Sequence, residues 1–499
     1  MANNGIIKTL QNIMRQDAGI SGDAQRIEQM VWLFFLKVYD QQEMEWALTD
    51  DNYHSIIPDK YQWRNWAVDA KDGKALTGDE LLQFVNGGLF PTLQNLDLTC
   101  ATSGQAIVRT VFTDLNQYMK SGVLLRQVIN TINDGINFDR TADRHLFGDI
   151  YEGILKDLQG AGHAGEFYTP RALTDFMIRM LQPCLGERVG DFAAGTGGFL
   201  VSAIRYLQDQ GSQSTQNYEL LQHTIVGQEW KPLPYLLGVT NLMLHGIQAP
   251  DMRHCDSLGV KMSDLTENDK VDVIAMNPPY GGSTDASVMG NFPLDLRTSE
   301  TAELFMVLIM YRLRQNGRAA VILPDGFLFG TGNAEIAIKT KLLREFNLHT
   351  IIRLPGSIFA PYTSIATNVL FFDHRRATKA NAPLATDVTW FYRFDMPEGM
   401  KHFSKTKPMR LEHLLPVMEW WQHRTALQDA DGNDKARCYT AQELIDGGCH
   451  LEMCPFPTDN EEVLPPDELI AEYKAKRAEI GQNIDQNLAE LQHLLGLKN

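Results

Sequence analysis

Apolar residues Ile27, Met30, Val31, Phe34, Phe35 and Val38 recur every three or four positions in SGDAQRIEQMVWLFFLKVYDQQEMEWAL (21–48). That spacing predicts one face of an α-helix, with Ser21 and Asp23 as capping candidates. RHLFGDIYEGILKDL (144–158) repeats the arrangement with Phe147, Ile150, Tyr151, Ile154, Leu155 and Leu158. Both stripes read as core packing. Three glycines in QGAGHAGE (159–166) then end the pattern and mark a boundary or an elbow.

Beyond that point the pattern alternates between short apolar runs and helical stretches. Strands are expected at 188–192 (RVGDF), 223–229 (HTIVGQE), 271–276 (VDVIAM), 317–324 (GRAAVILP), 348–354 (LHTIIRL) and 366–373 (ATNVLFFD). Helical patterns lie between most of them, including TAELFMVLIMYRLRQN (301–316). This alternation predicts an α/β fold with a Rossmann-like, doubly wound and mostly parallel sheet. Only PGSIFAPYTSI separates the last two runs, too little for a helical crossover, so a terminal antiparallel hairpin is expected there. Three parts follow: a helical N-terminal domain (1–160), an α/β domain (161–400) and a C-terminal region (401–499). The last part closes with a helix whose Ile480, Ile484, Leu488, Leu491 and Leu495 form a narrow stripe. Such a stripe suits a helix–helix seam, within the chain or with a partner.

Composition narrows the function. The 499 residues suffice for two or three domains. A formal net charge of -17 is unusual for a chain that grips nucleic acid alone, because phosphate contacts need clustered Lys and Arg. Help from a partner would resolve that. The six cysteines form no CxxC pair, and Cys449, His450 and Cys454 lack a second pair, so no metal site is expected. Scattered thiols fit a reducing, cytoplasmic setting. No apolar run is long enough for a signal peptide or a membrane span.

The chemistry concentrates where strands end. GDFAAGTGGFL (190–200) runs from a strand through a glycine-rich turn into a helix. Gly195, Gly197 and Gly198 let backbone approach a ligand closely, and the helix N-terminus favours a carboxylate or phosphate. The Lys-Ser/Thr ending of a Walker loop is missing, and GxGxxG is not clean. Glu229, ending the next strand, is placed to accept from ribose hydroxyls. Trp230 follows it as a neighbour for an adenine ring, and Asp256 as an acceptor for the adenine amino group. NPPY (277–280) ends the strand VDVIAM. Asn277 offers a side-chain carbonyl oxygen and Pro278 a stiffly held backbone one. Two acceptors aimed at one NH2 group suit a planar exocyclic or amide nitrogen that attacks a methyl donor. Tyr280 can stack on a flat substrate, and a base in a duplex would first be flipped out.

DFAAGTGGF, GQEW and NPPY, in that order, resemble S-adenosylmethionine-dependent amino-methyltransferases. GEFYTPR (165–171) precedes the glycine loop, as in the N6-adenine class. With the helical N-terminus, NLMLHGI (241–247) and RAAVILPDGFLFG (318–330), the chain resembles the modification subunit of a type I restriction–modification system. The resemblance implies S-adenosylmethionine as cofactor, held by Glu166, Phe167, Tyr168, Thr169, Pro170 and Arg171, by Thr196, Gly197 and Gly198, and by Glu229. Asp191, Gly195 and Asp256 join them. It implies Asn277, Pro278, Pro279 and Tyr280 as the catalytic stretch, and Phe359 as a second base-stacking ring. It implies double-stranded DNA as substrate, read by a separate specificity subunit that two modification subunits embrace, and a restriction subunit in the full complex. The C-terminal helix then becomes a docking element. The segment 281–300 is expected to be mobile without DNA and to close over the flipped base. Phe192 departs from the family, which usually has proline after the aspartate. Two rival readings remain: methylation of a glutamine amide in a protein, and a cofactor-binding scaffold without transfer.

Overall fold

The structure, a computed structural model, describes residues 3–68, 75–135, 151, 169–211, 214–359, 365–375, 384–404 and 407–456. Among them, ten strands form one sheet: β1 (Val189–Asp191), β2 (Ile225–Glu229), β3 (Asp251–His254), β4 (Val271–Met276), β5 (Leu313–Pro324), β6 (Asn347–Leu354), β7 (Thr367–Asp373), β8 (Val388–Arg393), β9 (Leu427–Gln428) and β10 (Asp434–Thr440). Their order is β3-β2-β1-β4-β5-β7-β6-β8-β10-β9. The first five pair in parallel. Their residues are buried in near-continuous runs because helices cover both faces, as β4 shows with five of its six residues buried.

The chain winds outward from β1 in both directions, to β2 on one side and β4 on the other. Between those two the strand order reverses, and the loops that leave their carboxyl ends diverge into a crevice. The glycine loop follows β1 and NPPY follows β4, so the topology alone brings the two motifs together.

Six of the ten strands coincide with the expected runs. The hairpin between β6 and β7 forms, antiparallel, with Leu354 opposite Thr367. The sheet continues beyond it. β8 pairs with β6 in parallel, and β10 and β9 add antiparallel strands after residue 400. Two local expectations are corrected. The helix expected over 301–316 is Thr301–Arg312, and β5 starts at Leu313, opposite Val271. The register shifts there, Asn316 adopts φ 68°, and a side chain on Gly317 would strike the Asp272 carbonyl. A bulged strand therefore replaces the last helical turn. The first long helix, Asp23–Thr49, is capped by Gly22 rather than by Ser21 or Asp23. Gln25 instead reaches back with its side-chain oxygen, which accepts from the Ser21 amide at 2.8 Å.

That helix is buried on nearly every face, Trp32 and Leu33 as completely as Phe34 and Phe35. Trp32, Phe90 and Phe112 pack edge to face at 5.1 and 5.2 Å across its partners. The same helix rests against Pro232–Leu244, the helix between β2 and β3. The Tyr151 hydroxyl donates to the Leu237 carbonyl at 3.1 Å. The helical N-terminal part thus braces the β1–β3 half of the sheet. Of the second stripe only Tyr151 is described; Phe147, Ile150, Ile154, Leu155 and Leu158, the 159–166 elbow and the C-terminal stripe lie outside the described residues. The described residues up to Pro455 belong to one compact unit, Met1–Pro455. Among the described residues, no helix is long and apolar enough to cross a membrane.

Candidate active site at the carboxyl edge of the sheet

The turn after β1 is built by backbone that only glycine adopts easily. Gly195 and Gly197 have φ of 53° and 76°. The Gly197 amide donates to the Ala194 carbonyl at 2.8 Å, and the helix Gly198–Asp209 begins at once. A side chain on Gly198 would collide with the Arg171 guanidinium, which therefore lies over that helix N-terminus. Asn241 donates to the Thr196 carbonyl at 3.0 Å and fixes the crown of the turn. Asp191 is 1% exposed. Its carboxylate accepts from the Ala193 amide at 3.1 Å. Burial pushes its carboxyl up to about 8, against that hydrogen bond, and the nearby Glu229 pushes the same way.

Glu229 is tied to the turn. One carboxylate oxygen accepts from the Gly195 amide and the other from the Lys231 amide, each at 2.8 Å. Next to Glu229 the Trp230 indole is 67% exposed. Its carbonyl is held by His254 at 2.8 Å, whose ring stacks on Tyr235. Asp256 caps a short 3-10 turn, accepting from the Leu258 amide at 3.0 Å. It is partly exposed, with its second oxygen beyond that bond.

Across the crevice, Asn277 donates from Nδ2 to the Thr169 hydroxyl at 3.1 Å. Its Oδ1 is buried and accepts no hydrogen bond among the described residues. Such an oxygen costs free energy until a donor arrives. Pro278 is buried and Pro279 exposed. Tyr280 is 9% exposed, and burial holds its hydroxyl well above the ordinary tyrosine range, with the Asn277 amide acting the other way. The segment 281–300 is pinned at its root: Thr301 donates to the Gly282 carbonyl at 2.7 Å, and the Thr284 amide to the Ser299 carbonyl at 2.9 Å. Phe292 and Leu296 anchor it in the core, while Leu294 is 80% exposed at its tip.

Of the segment Glu166 to Arg171 expected to hold the cofactor, Thr169, Pro170 and Arg171 are described and adjoin the site; Glu166, Phe167 and Tyr168 lie outside the described residues. Phe359 is 2% exposed in the core, so its ring presents no open face in this conformation. Asn241 and Gln228 fall within the quoted NLMLHGI and GQEW, but the motifs gave them no role of their own. Motif reading missed Ser257, whose hydroxyl donates to the Phe192 carbonyl at 2.6 Å. For Ser257 only its nearness in sequence to Asp256 could have signalled it.

The family model of the N-6 DNA methylase matches residues 142–454, and that of the HsdM N-terminal domain matches residues 4–132. The methylase subunit of the type I restriction enzyme EcoEI from Escherichia coli is 46% identical over 97% of this chain and 96% of its own. The EcoKI methylase subunit of Escherichia coli K12 is 30% identical over 83% of this chain and 76% of its own. Among solved structures, a chain from a study of complex assembly and conformational transition in the type I R-M system superimposes with a TM-score of 0.78. It is 33% identical, over 99% of this chain and 98% of that one.

Proposed function

Because the chain belongs to the N-6 DNA methylase family, as a type I methylase subunit that modifies adenine N6 in DNA, we infer that the two edges of the crevice divide the reaction. The β1–β2 side holds S-adenosylmethionine and the β4 side holds the adenine amino group. The single observation that carries this division is the buried Asn277 oxygen, which accepts no hydrogen bond among the described residues.

The residues present fit the cofactor. The start of the helix Gly198–Asp209, under the Arg171 guanidinium, suits a carboxylate. Glu229 suits a ribose diol, Trp230 and Asp256 suit an adenine, and Asp191 suits an ammonium group. When bound, S-adenosylmethionine supplies an electrophilic methyl group on a positively charged sulfur.

The remaining chemistry belongs to this chain. Asn277 Oδ1 accepts one N6 hydrogen and the Pro278 carbonyl accepts the other. Together they hold the amino group and turn its lone pair out of conjugation with the ring. The pair of acceptors stabilises the charge that develops on nitrogen as it is methylated. No strong base is needed, and the spare proton of the methylated amine passes to water. Thr169 fixes the Asn277 amide in the orientation that leaves Oδ1 inward. Tyr280, buried in this conformation, turns its ring to the base as the base enters, flipped from the duplex before it reaches the crevice. Pro278 and Pro279 keep the turn stiff, so little ordering is left to the moment of reaction.

The acidic total favours DNA reading by a partner. A separate specificity subunit, embraced by two such chains and joined by a restriction subunit, fits a chain of net charge -17. The helical part (1–160), the catalytic part (161–400) and the C-terminal part (401–499) then serve bracing, transfer and docking, in the cytoplasm. The DNA methylase family leaves the glutamine-amide and scaffold readings without a supporting observation. Labelled S-adenosylmethionine and unmodified DNA, with this chain alone and with its specificity partner, test the reading. N6-methyladenine appearing only with the partner is expected. Product from the chain alone overturns the borrowed reading of DNA, and label in protein rather than DNA overturns the substrate.

A further inference from the structure

Three candidate cofactor-binding carboxylates, Asp191, Glu229 and Asp256, come from three separate stretches of chain. Each has a neighbour in sequence that enters one buried cluster: Phe192, Gln228 and Ser257, which are 1%, 4% and 5% exposed. Along β2 successive side chains point to opposite faces, so Gln228 turns away from Glu229. At the centre lies Arg312, the last residue of the helix Thr301–Arg312, 4% exposed. Its guanidinium carbon sits 4.0 Å above the centre of the Phe192 ring. Nε donates to the Asp269 carbonyl at 2.5 Å, and Nη1 lies 3.5 Å from Gln228 Oε1. Ser257 Oγ lies 2.6 Å from the Phe192 carbonyl and 3.0 Å from Gln228 Oε1. The Ala194 amide, two residues further on, donates to the Gln228 carbonyl at 2.9 Å.

We infer that Arg312 is a positioning residue for the cofactor: through Phe192, Gln228 and Ser257 it sets Asp191, Glu229 and Asp256 at the spacing that one small molecule can bridge. The inference rests on the assignment of S-adenosylmethionine to this side of the crevice. A buried cation is costly to keep, and this one is met by a ring face and neutral oxygens rather than spent on a surface ion pair. A planar guanidinium can cover the ring and reach two oxygens in different directions at once; a lysine ammonium cannot. The ring–guanidinium stack also accounts for Phe192. Where the resembled family usually stiffens this position with proline, this chain stiffens it from the helix beneath.

Calorimetric binding of S-adenosylmethionine to the full chain tests this, using wild type, Arg312→Lys, Phe192→Leu and the double variant, with melting points taken in parallel. Each single change is expected to raise Kd on the order of tenfold. The double variant is expected to match the weaker single, because both break one unit. In the complex with the specificity partner, KM for S-adenosylmethionine rises more than kcat falls. Ser257→Ala, which removes one hydroxyl and no ring, raises Kd about threefold and serves where the Arg312 variant does not fold. Unchanged Kd in folded variants, or losses that simply multiply in the double, overturns the inference. Wild type that fails to bind S-adenosylmethionine removes the cofactor assignment itself, which the variants do not address.

Discussion

The two sides of the crevice are finished to different degrees. On the β1–β2 side polar groups are already engaged: Glu229 holds two amides, Asp256 caps a turn, Asn241 holds the Thr196 carbonyl. On the β4 side Asn277 keeps a buried oxygen that accepts no hydrogen bond among the described residues. The first arrangement is rigid before any ligand binds, which lowers the ordering cost of a small, constant cofactor. The second withholds its stabilisation until an amino group enters and becomes charged, which is where binding energy accelerates a reaction. The difference predicts that substitutions on one side change affinity and those on the other change rate.

Four experiments break or sharpen that division. Asn277→Ala has the largest expected effect. It removes an acceptor from the developing charge, so kcat falls on the order of 10²–10³-fold, while cofactor affinity measured by calorimetry stays near wild type. Tyr280→Ala comes next. Loss of a stacking face of about 1–3 kcal/mol lowers kcat/KM for DNA roughly ten- to a hundredfold. Tyr280→Phe keeps the face and changes it by less than about threefold.

The third experiment concerns Asp191, whose carboxyl lies near pH 8 rather than at the usual 3.8. With its folded value raised, the free protein holds an extra proton in that window. Folding stability therefore declines as pH rises through it and is fully present only below the lower value. A cationic cofactor binds the ionised form better, so its Kd falls between about pH 7 and 8, by at most about tenfold for one proton. Asp191→Asn flattens both dependences; a slope in Kd that persists in that variant assigns the proton elsewhere. The smallest effect belongs to Phe359→Leu. With the ring buried, the change costs at most about 1.5 kcal/mol of stability and leaves the transfer rate within about twofold. A tenfold loss of rate would restore a stacking role and require the β6–β7 connection to open.

The parallel half of the sheet was legible because buried strands write themselves as apolar runs: VDVIAM and GRAAVILP have no other simple reading. β3 escaped because Asp251–His254 is short, mostly polar and only one residue in it is buried. β10 escaped because an outer strand with one buried residue in seven shows no alternation. β8 has less excuse, since VTWFYR is aromatic and β-branched and obeys the rule that found its neighbours. At the site, motif residues were legible as glycine, acid and amide at strand ends. Their supports were not. Nothing local marks Arg312, the last turn of an apolar helix, as the residue against the Phe192 ring. Only the fold brings position 312 to position 192.

The most direct test pairs two numbers on one variant. In the complex with the specificity partner, Asn277→Ala is assayed for S-adenosylmethionine Kd and for the rate of N6-methyladenine formation, identified as the nucleoside. The account predicts a Kd within about threefold of wild type and a rate lower by at least about a hundredfold. Cofactor binding lost together with transfer, or transfer at the wild-type rate, would contradict it.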